Sequence, residues 1–255
     1  PPPFFFQAED GIRDPLWSRG LGDVYQRQVR AAQRDAAPRF MGCAQSKTAT
    51  ARRGDVRLVD DDDATTTTTE LRVKLELLGA SGAGKTALST RFVRGTFDGE
   101  NASATVGAAF ASTTRALDDA RARIKFEIWD TAGQERYASL APLYYRGATA
   151  AMIAFDARDG ASFERARYWA EELRKHGDAR CRVLLVGNKI DAVRDDERAT
   201  AREACEALAR EYGMAAYRET SAKTGEGVQE AFEDVARAVM TREMSAREDA
   251  TVVDA

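Results

Sequence analysis

Gly79, Gly84, Lys85 and Thr86 stand at the spacing G-x-x-x-x-G-K-[ST] within LRVKLELLGASGAGKT, residues 71–86, a spacing suited to gripping phosphate. Backbone N–H groups must converge on phosphate oxygens, so side chains at Gly79, Gly82 and Gly84 would be in the way, with Ser81 and Ala83 filling the positions between. A helix beginning after Gly84 would aim the positive end of its dipole at the same anions. Lys85 brings a full charge to the terminal phosphates, and the Thr86 hydroxyl suits a Mg²⁺ ion. Alone, the motif predicts a nucleoside triphosphate and nothing finer.

Three further short motifs refine the chemistry. In Asp130-Thr131-Ala132-Gly133-Gln134 a strand-end Asp can hold Mg²⁺ through water, the Gly133 N–H can meet a γ-phosphate, and Gln134 can orient an attacking water. In Asn188-Lys189-Ile190-Asp191 a carboxylate can accept hydrogen bonds from N1–H and the 2-amino group of guanine. Adenine lacks that donor pair, so Asp191 would be left unpaired against ATP. In Thr220-Ser221-Ala222-Lys223 a loop can cover the base, with the Ala222 N–H on guanine O6.

The elements that must carry these motifs alternate between strand and helix patterns, which predicts an α/β layered fold. Strands are expected at 71–78, 109–117, 123–129, 150–155, 183–186 and 215–219, and helices at 84–94, 136–145, 161–175, 197–212 and 228–241. Apolar runs at 152–155 and 183–186 have the look of central parallel strands buried on both faces. The second and third strands follow across a short charged turn and should pair antiparallel at one edge. Every motif then falls at a strand end, where open α/β sheets bind ligands.

Composition narrows the classes. The chain has 255 residues, 44% of them apolar, and a net charge of −3, which supports a real core and gives no hint of a nucleic-acid partner. No apolar run of ~18 residues is present. Cys43, Cys181 and Cys205 lack metal-ligand spacing and suggest a reducing compartment. The single histidine, His176, sits in a charged stretch and reads as a solvated helix end, which argues against histidine-based catalysis.

Residues 1–40 have no sustained period and are expected to be a non-native or disordered leader, and 1–28 is similar to a translated sequencing adapter. Initiation at Met41 would give MGCAQSK, in which Gly42 and Ser46 fit the N-myristoylation pattern. Cys43 could take a palmitate, the second acyl group that stable attachment requires. Lys47, Arg52, Arg53 and Arg57 could add attraction to anionic lipid. The Asp run at 60–63 and the Thr run at 65–69 have nothing to bury, so 41–70 is expected to be an acylated flexible tether, making the N-terminal ~70 residues disordered. A short disordered tail is expected at 243–255.

TVGAAF (105–110), FEIWDTAGQERYASLAPLYYRGA (126–148) and TSAKTGEGV (220–228) resemble the G domain of the Ras superfamily, and more narrowly the endosomal Rab-five group of the Rab family. The likeness covers about 71–240. It implies a three-layer P-loop G domain at 71–242, with a six-stranded, mostly parallel sheet, one antiparallel edge strand and helices on both faces. By that resemblance Thr105 closes on Mg²⁺ and the γ-phosphate, Phe97 stacks on the guanine and Lys189 lies along its other face. Phe110, Trp129 and Tyr144 match the aromatic trio that effectors and exchange factors contact. Two departures stand out: 97–105 is one residue longer than the usual pattern, and AREDATVVDA carries no cysteine for a prenyl anchor. The latter, with MGC at 41–43, resembles the plant and protist Rabs acylated at the N-terminus.

The resemblance implies a monomeric GTP-hydrolysing switch with GTP or GDP and Mg²⁺. It would be served by an exchange factor, an activating protein and effectors, on the cytoplasmic face of endosomal membranes or the plasma membrane. Two alternatives stay open at this point: a G domain that holds nucleotide without turning it over, and an ATP-using P-loop enzyme.

Overall fold

The computed structural model describes residues 56–60, 67–98, 105, 108–117, 120–131, 145–194 and 199–253. Among the described residues seven strands form one sheet: β1 (Val56–Asp60), β2 (Thr67–Gly79), β3 (Ala108–Leu117), β4 (Ala122–Thr131), β5 (Ala150–Asp156), β6 (Arg182–Asn188) and β7 (Ala216–Thr220). Its order is β3-β4-β2-β5-β6-β7, with β1 added alongside β2. The helices are α1 (Lys85–Arg94), α2 (Gly160–His176), α3 (Arg202–Glu211) and α4 (Val228–Val253).

β2 pairs in parallel with β4 and β5, and the parallel run continues to β6 and β7. β3 pairs antiparallel with β4 at one edge, as the short charged turn predicts. The strand period of two sends alternate residues to opposite faces. Leu71, Val73, Leu75 and Leu77 of β2 therefore meet Leu88 and Phe92 of α1 and Val228, Phe232 and Val235 of α4. Leu78, with Ala151, Ile153 and Phe155 of β5, meets Phe163, Trp169 and Leu173 of α2. All seven residues of β5 are buried, as a strand covered by helices on both sides must be. Phe92 and Phe232 stack with ring centroids 3.9 Å apart and join α1 to α4. Truncating a buried Phe of this kind costs about 3–5 kcal/mol.

Two expectations need correction. The stretch before residue 71 contains structure: β2 begins at Thr67, and β1 pairs with it antiparallel, Val56 opposite Leu71 and Asp60 opposite Thr67. Among the described residues, β1 thus adds a seventh strand and a second antiparallel pair to the expected six-stranded path, whose antiparallel edge strand is β3. β4 already occupies one edge of β2 from Thr69 to Leu77, so β1 takes the other edge, below the point where β5 starts opposite Leu75. Polar composition predicts a tether here, but Thr and Val are β-branched and favour extended pairing even without a core to fill. The second correction concerns the expected C-terminal tail, which continues α4 as helix to Val253. Nothing in REMSAREDATVV breaks a helix, and Arg, Glu, Met and Ala are good formers.

The expected helix at 197–212 starts later, at Arg202. The expected helix at 136–145 falls outside the described residues up to position 144, as do the leader and the acylation motif. Among the described residues no helix is long and apolar enough to cross a membrane.

Candidate nucleotide-binding site

The carboxyl ends of β2, β4, β5, β6 and β7 deliver Gly79, Asp130, Asp156, Asn188 and Thr220 to the same end of the sheet. The loop between β2 and α1 turns there. Gly79 has φ 133° and Gly84 φ 91°, conformations that glycine adopts without strain. Neighbouring protein gives a further reason for glycine at two of these positions. A Cβ on Gly79 would lie 2.0 Å from the Ala154 carbonyl oxygen, and one on Gly84 would lie 2.3 Å from Asn188 Nδ2. Both are fixed by neighbouring protein. Gly82 alone borders open space, with nothing within 4 Å of a Cβ, while Ser81 beside it is exposed at the mouth of the loop.

Lys85 is buried, and its Nζ donates to the carbonyls of Gly79 at 3.0 Å and Ala80 at 2.9 Å. Burial lowers its pKa to about 8, with the Asp130 charge opposing that shift. An anion seated in the loop would act in the same direction as Asp130. The Thr86 hydroxyl lies 2.6 Å from Asp130 Oδ2 and 2.8 Å from Thr105 Oγ1, and Thr105 Oγ1 is 3.5 Å from the same carboxylate. Burial raises the Asp130 pKa, and hydrogen bonds from Thr86 and Thr105 and the Lys85 charge work against the rise. Asp130 Oδ1 is buried without a hydrogen-bond partner. An orphaned carboxylate oxygen beside two hydroxyls is a hard-oxygen donor set, and it fits Mg²⁺.

At the other end, Asn188 is almost fully buried and all its side-chain bonds are to protein. Nδ2 donates to the Ala83 carbonyl at 3.0 Å, and Oδ1 accepts from Thr220 Oγ1 and Ala222 N, each at 3.2 Å. Lys189 Nζ reaches back to the Gly82 carbonyl at 2.6 Å and to Asp156 Oδ2 at 2.8 Å. Asp191 lies in a 3₁₀ turn, Ile190–Ala192, where it is exposed, and its Oδ1 accepts from Ser221 Oγ at 2.5 Å. Ala222 and Ser221 are buried, whereas Lys223 is exposed. Phe97 is half-buried and packs against the core just beyond the end of α1.

The structure therefore brings together Gly79, Ser81, Gly82, Ala83, Gly84, Lys85, Thr86, Thr105 and Asp130 on one side, and Asn188, Lys189, Asp191, Ser221 and Ala222 on the other. Phe110 and Trp129, cross-strand partners on β3 and β4, have ring centroids 5.0 Å apart. Gly133, Gln134, Tyr144, Gly42 and Cys43 lie outside the described residues.

Sequence reasoning misses Asp156. Burial pushes its carboxyl up, but hydrogen bonds from Arg158 and Lys189 more than offset this and hold the pKa at about 2. Its one signal is its place after the apolar run of β5. Arg91 is missed too, and no local pattern marks it.

A family model described as the Ras family matches residues 74–241. The chain belongs to the Ras family. Ras-related protein RABF2b of Arabidopsis thaliana is 50% identical over 167 residues, covering 66% of this chain and 80% of that protein. Ras-related protein Rab5A of Oryza sativa subsp. japonica is 47% identical over 167 residues, 66% of this chain and 79% of that protein. Ras-related protein Rab-5A of Dictyostelium discoideum is 48% identical over 166 residues, 64% of this chain and 79% of that protein. As a Ras-family member of the Rab5 type, the chain is a small GTPase, a GTP-binding switch of endosomal trafficking. Family membership disfavours the ATP-using alternative.

Proposed function

We propose that the chain cycles between GTP- and GDP-bound forms on the cytoplasmic face of endosomal membranes, held there by acyl groups on Gly42 and Cys43. Asp191 tests for guanine, with Phe97 and Lys189 on the two faces of the base and the Ala222 N–H directed to O6. Ser221 fixes the Asp191 carboxylate, and Lys223 continues the covering loop. Backbone N–H groups of Gly79 to Gly84, with Lys85, hold the phosphates.

Mg²⁺ would be held by Thr86, Thr105 and, through water, Asp130; when bound it supplies charge neutralisation on the phosphate oxygens. Thr105 and the Gly133 N–H order the segments around the γ-phosphate, and loss of that phosphate releases them. Gln134 orients the attacking water, and Lys85 offsets charge in the transition state. No motif places an arginine to act in cis, so intrinsic turnover is slow and an activating protein raises it. Phe110, Trp129 and Tyr144 form the surface read by effectors and exchange factors, and the chain acts as a monomer.

The observation supporting this reading best is the meeting of Thr86, Thr105 and Asp130 beside Lys85. A competition assay tests it: GTP and GDP should displace a fluorescent guanine nucleotide at stoichiometric levels, and ATP should not. Equal displacement by ATP would refute it. Single-turnover phosphate release from Gln134→Leu, compared with the parent, separates a hydrolase from a module that only holds nucleotide.

A further inference from the structure

Arg91 lies in the last turn of α1, six residues beyond Lys85 and about 9 Å along the helix. Its guanidinium uses three separate nitrogens. Nε donates to the Ala222 carbonyl at 2.8 Å, Nη2 to the Lys223 carbonyl at 2.5 Å, and Nη1 to the Gly95 carbonyl just past the helix end at 2.6 Å. Gly225 turns over the stem of the same side chain, its Cβ position 3.7 Å from Arg91 Cδ. Within the loop, Gly225 N donates to the Ser221 carbonyl at 2.8 Å and Thr224 N to Ser221 Oγ at 3.0 Å. The carbonyls that Arg91 holds thus belong to a closed turn whose other side presents Ser221 to Asp191 and the Ala222 amide to Asn188.

We propose that Arg91 is a positioning residue for the bound nucleotide: it locks the 221–225 loop to α1, so that the base-side loop and the phosphate-side helix move as one body and set the nucleotide's residence time. This rests on the guanine-nucleotide reading above and adds a residue that touches no part of the nucleotide. α1 then works at both ends, Lys85 and Thr86 at its start and Arg91 at its finish. Without Arg91 the loop is held from one side only, through Asn188 and Asp191, and it can lift from the base. Lysine is a poor substitute, because a single ammonium cannot reproduce three N–H directions set in one plane.

The test compares release of fluorescent GDP from the parent protein, Arg91→Ala and Arg91→Lys, with and without EDTA, alongside hydrogen exchange. Arg91→Ala should release GDP at least about tenfold faster, since it loses charge-assisted bonds to the loop. Arg91→Lys, which keeps the charge and most of the stem, should fall between the two. The fold-change should persist in EDTA, because the effect lies at the base end, and faster exchange should be confined to amides 221–225. GDP release unchanged in Arg91→Ala would overturn the proposal. So would faster release matched by faster exchange at 84–88, which would mean that α1 itself had loosened. A parent protein that retains no guanine nucleotide would instead overturn the reading beneath it.

Discussion

Asn188 Nδ2 donates to the carbonyl of Ala83, 105 residues earlier in the chain, at 3.0 Å in a fully buried setting. That bond ties the 188–191 motif to the 79–84 loop through protein alone. The same side chain accepts from Thr220 Oγ1 and Ala222 N, so it joins the 79–84 loop, the end of β6 and the end of β7. Asn188→Ala should leave three buried polar groups short of a partner, each worth about 1–3 kcal/mol. Thermal unfolding should show a large loss of stability whether or not nucleotide is present. A fall in nucleotide affinity with no change in melting temperature would mean that Asn188 acts on the ligand only.

Asp191 behaves differently, because it is exposed in its turn and gives one oxygen to Ser221. Asp191→Asn should leave the melting temperature of the nucleotide-free protein close to that of the parent. Its amide presents a donor where guanine also presents one, so preference should move from guanine towards xanthine by about tenfold or more. Competitive displacement with GTP and XTP measures this, and undiminished GTP affinity would count against the assignment.

Asp130 Oδ1 has no partner although it is buried, and Oδ2 is shared by Thr86 and Thr105. In the parent protein, EDTA should speed nucleotide release sharply. Asp130→Asn weakens the hard-oxygen set, so release should already be fast and the response to EDTA should shrink to about a few-fold at most. An EDTA response equal to that of the parent would remove Asp130 from the metal site.

Glu76 is 1% exposed in the middle of β2, with Oε2 unpartnered and Oε1 3.2 Å from Lys74 Nζ. Burial raises its pKa from 4.5 to about 8, opposed in part by Lys74. The folded state therefore keeps a proton that the unfolded chain gives up near pH 4.5. The contribution of this group to stability is greatest below that value and falls as pH rises towards 8, by about 1.4 kcal/mol per pH unit across the window. Glu76→Gln removes the slope. Its melting temperature relative to the parent should rise between about pH 5 and pH 8.5, and a pH-independent difference would show that Glu76 does not titrate in this window.

The pairing of β1 with β2 is a backbone property, and hydrogen exchange reads it directly. Amides within Val56–Asp60 should exchange at least about tenfold slower than free chain of the same composition. Exchange at the free-chain rate would restore the tether.

Much of the fold is encoded locally. The glycine turn at 79–84, the six strands of the main path and the helices α1 and α2 follow from patterns a few residues long. Side-chain period, turn chemistry and charge act between near neighbours. Each of the four short motifs starts at or beside a strand end for the same reason. β1 and the end of α4 were hidden, because polar composition says what a segment will not bury and is silent on how its backbone pairs.

What only the tertiary structure decided is how those pieces bind one another. Gly79 is required by Ala154 on the adjacent strand and Gly84 by the Asn188 side chain, contacts that exist only once β5 has paired with β2 and β6 with β5. Arg91 meets the Ala222 carbonyl across 131 residues, and Lys189 meets Asp156 across 33. Sequence supplied the donors and acceptors, but which donor meets which acceptor depends on the order of strands in the sheet. Buried polar groups must find partners wherever that order places them.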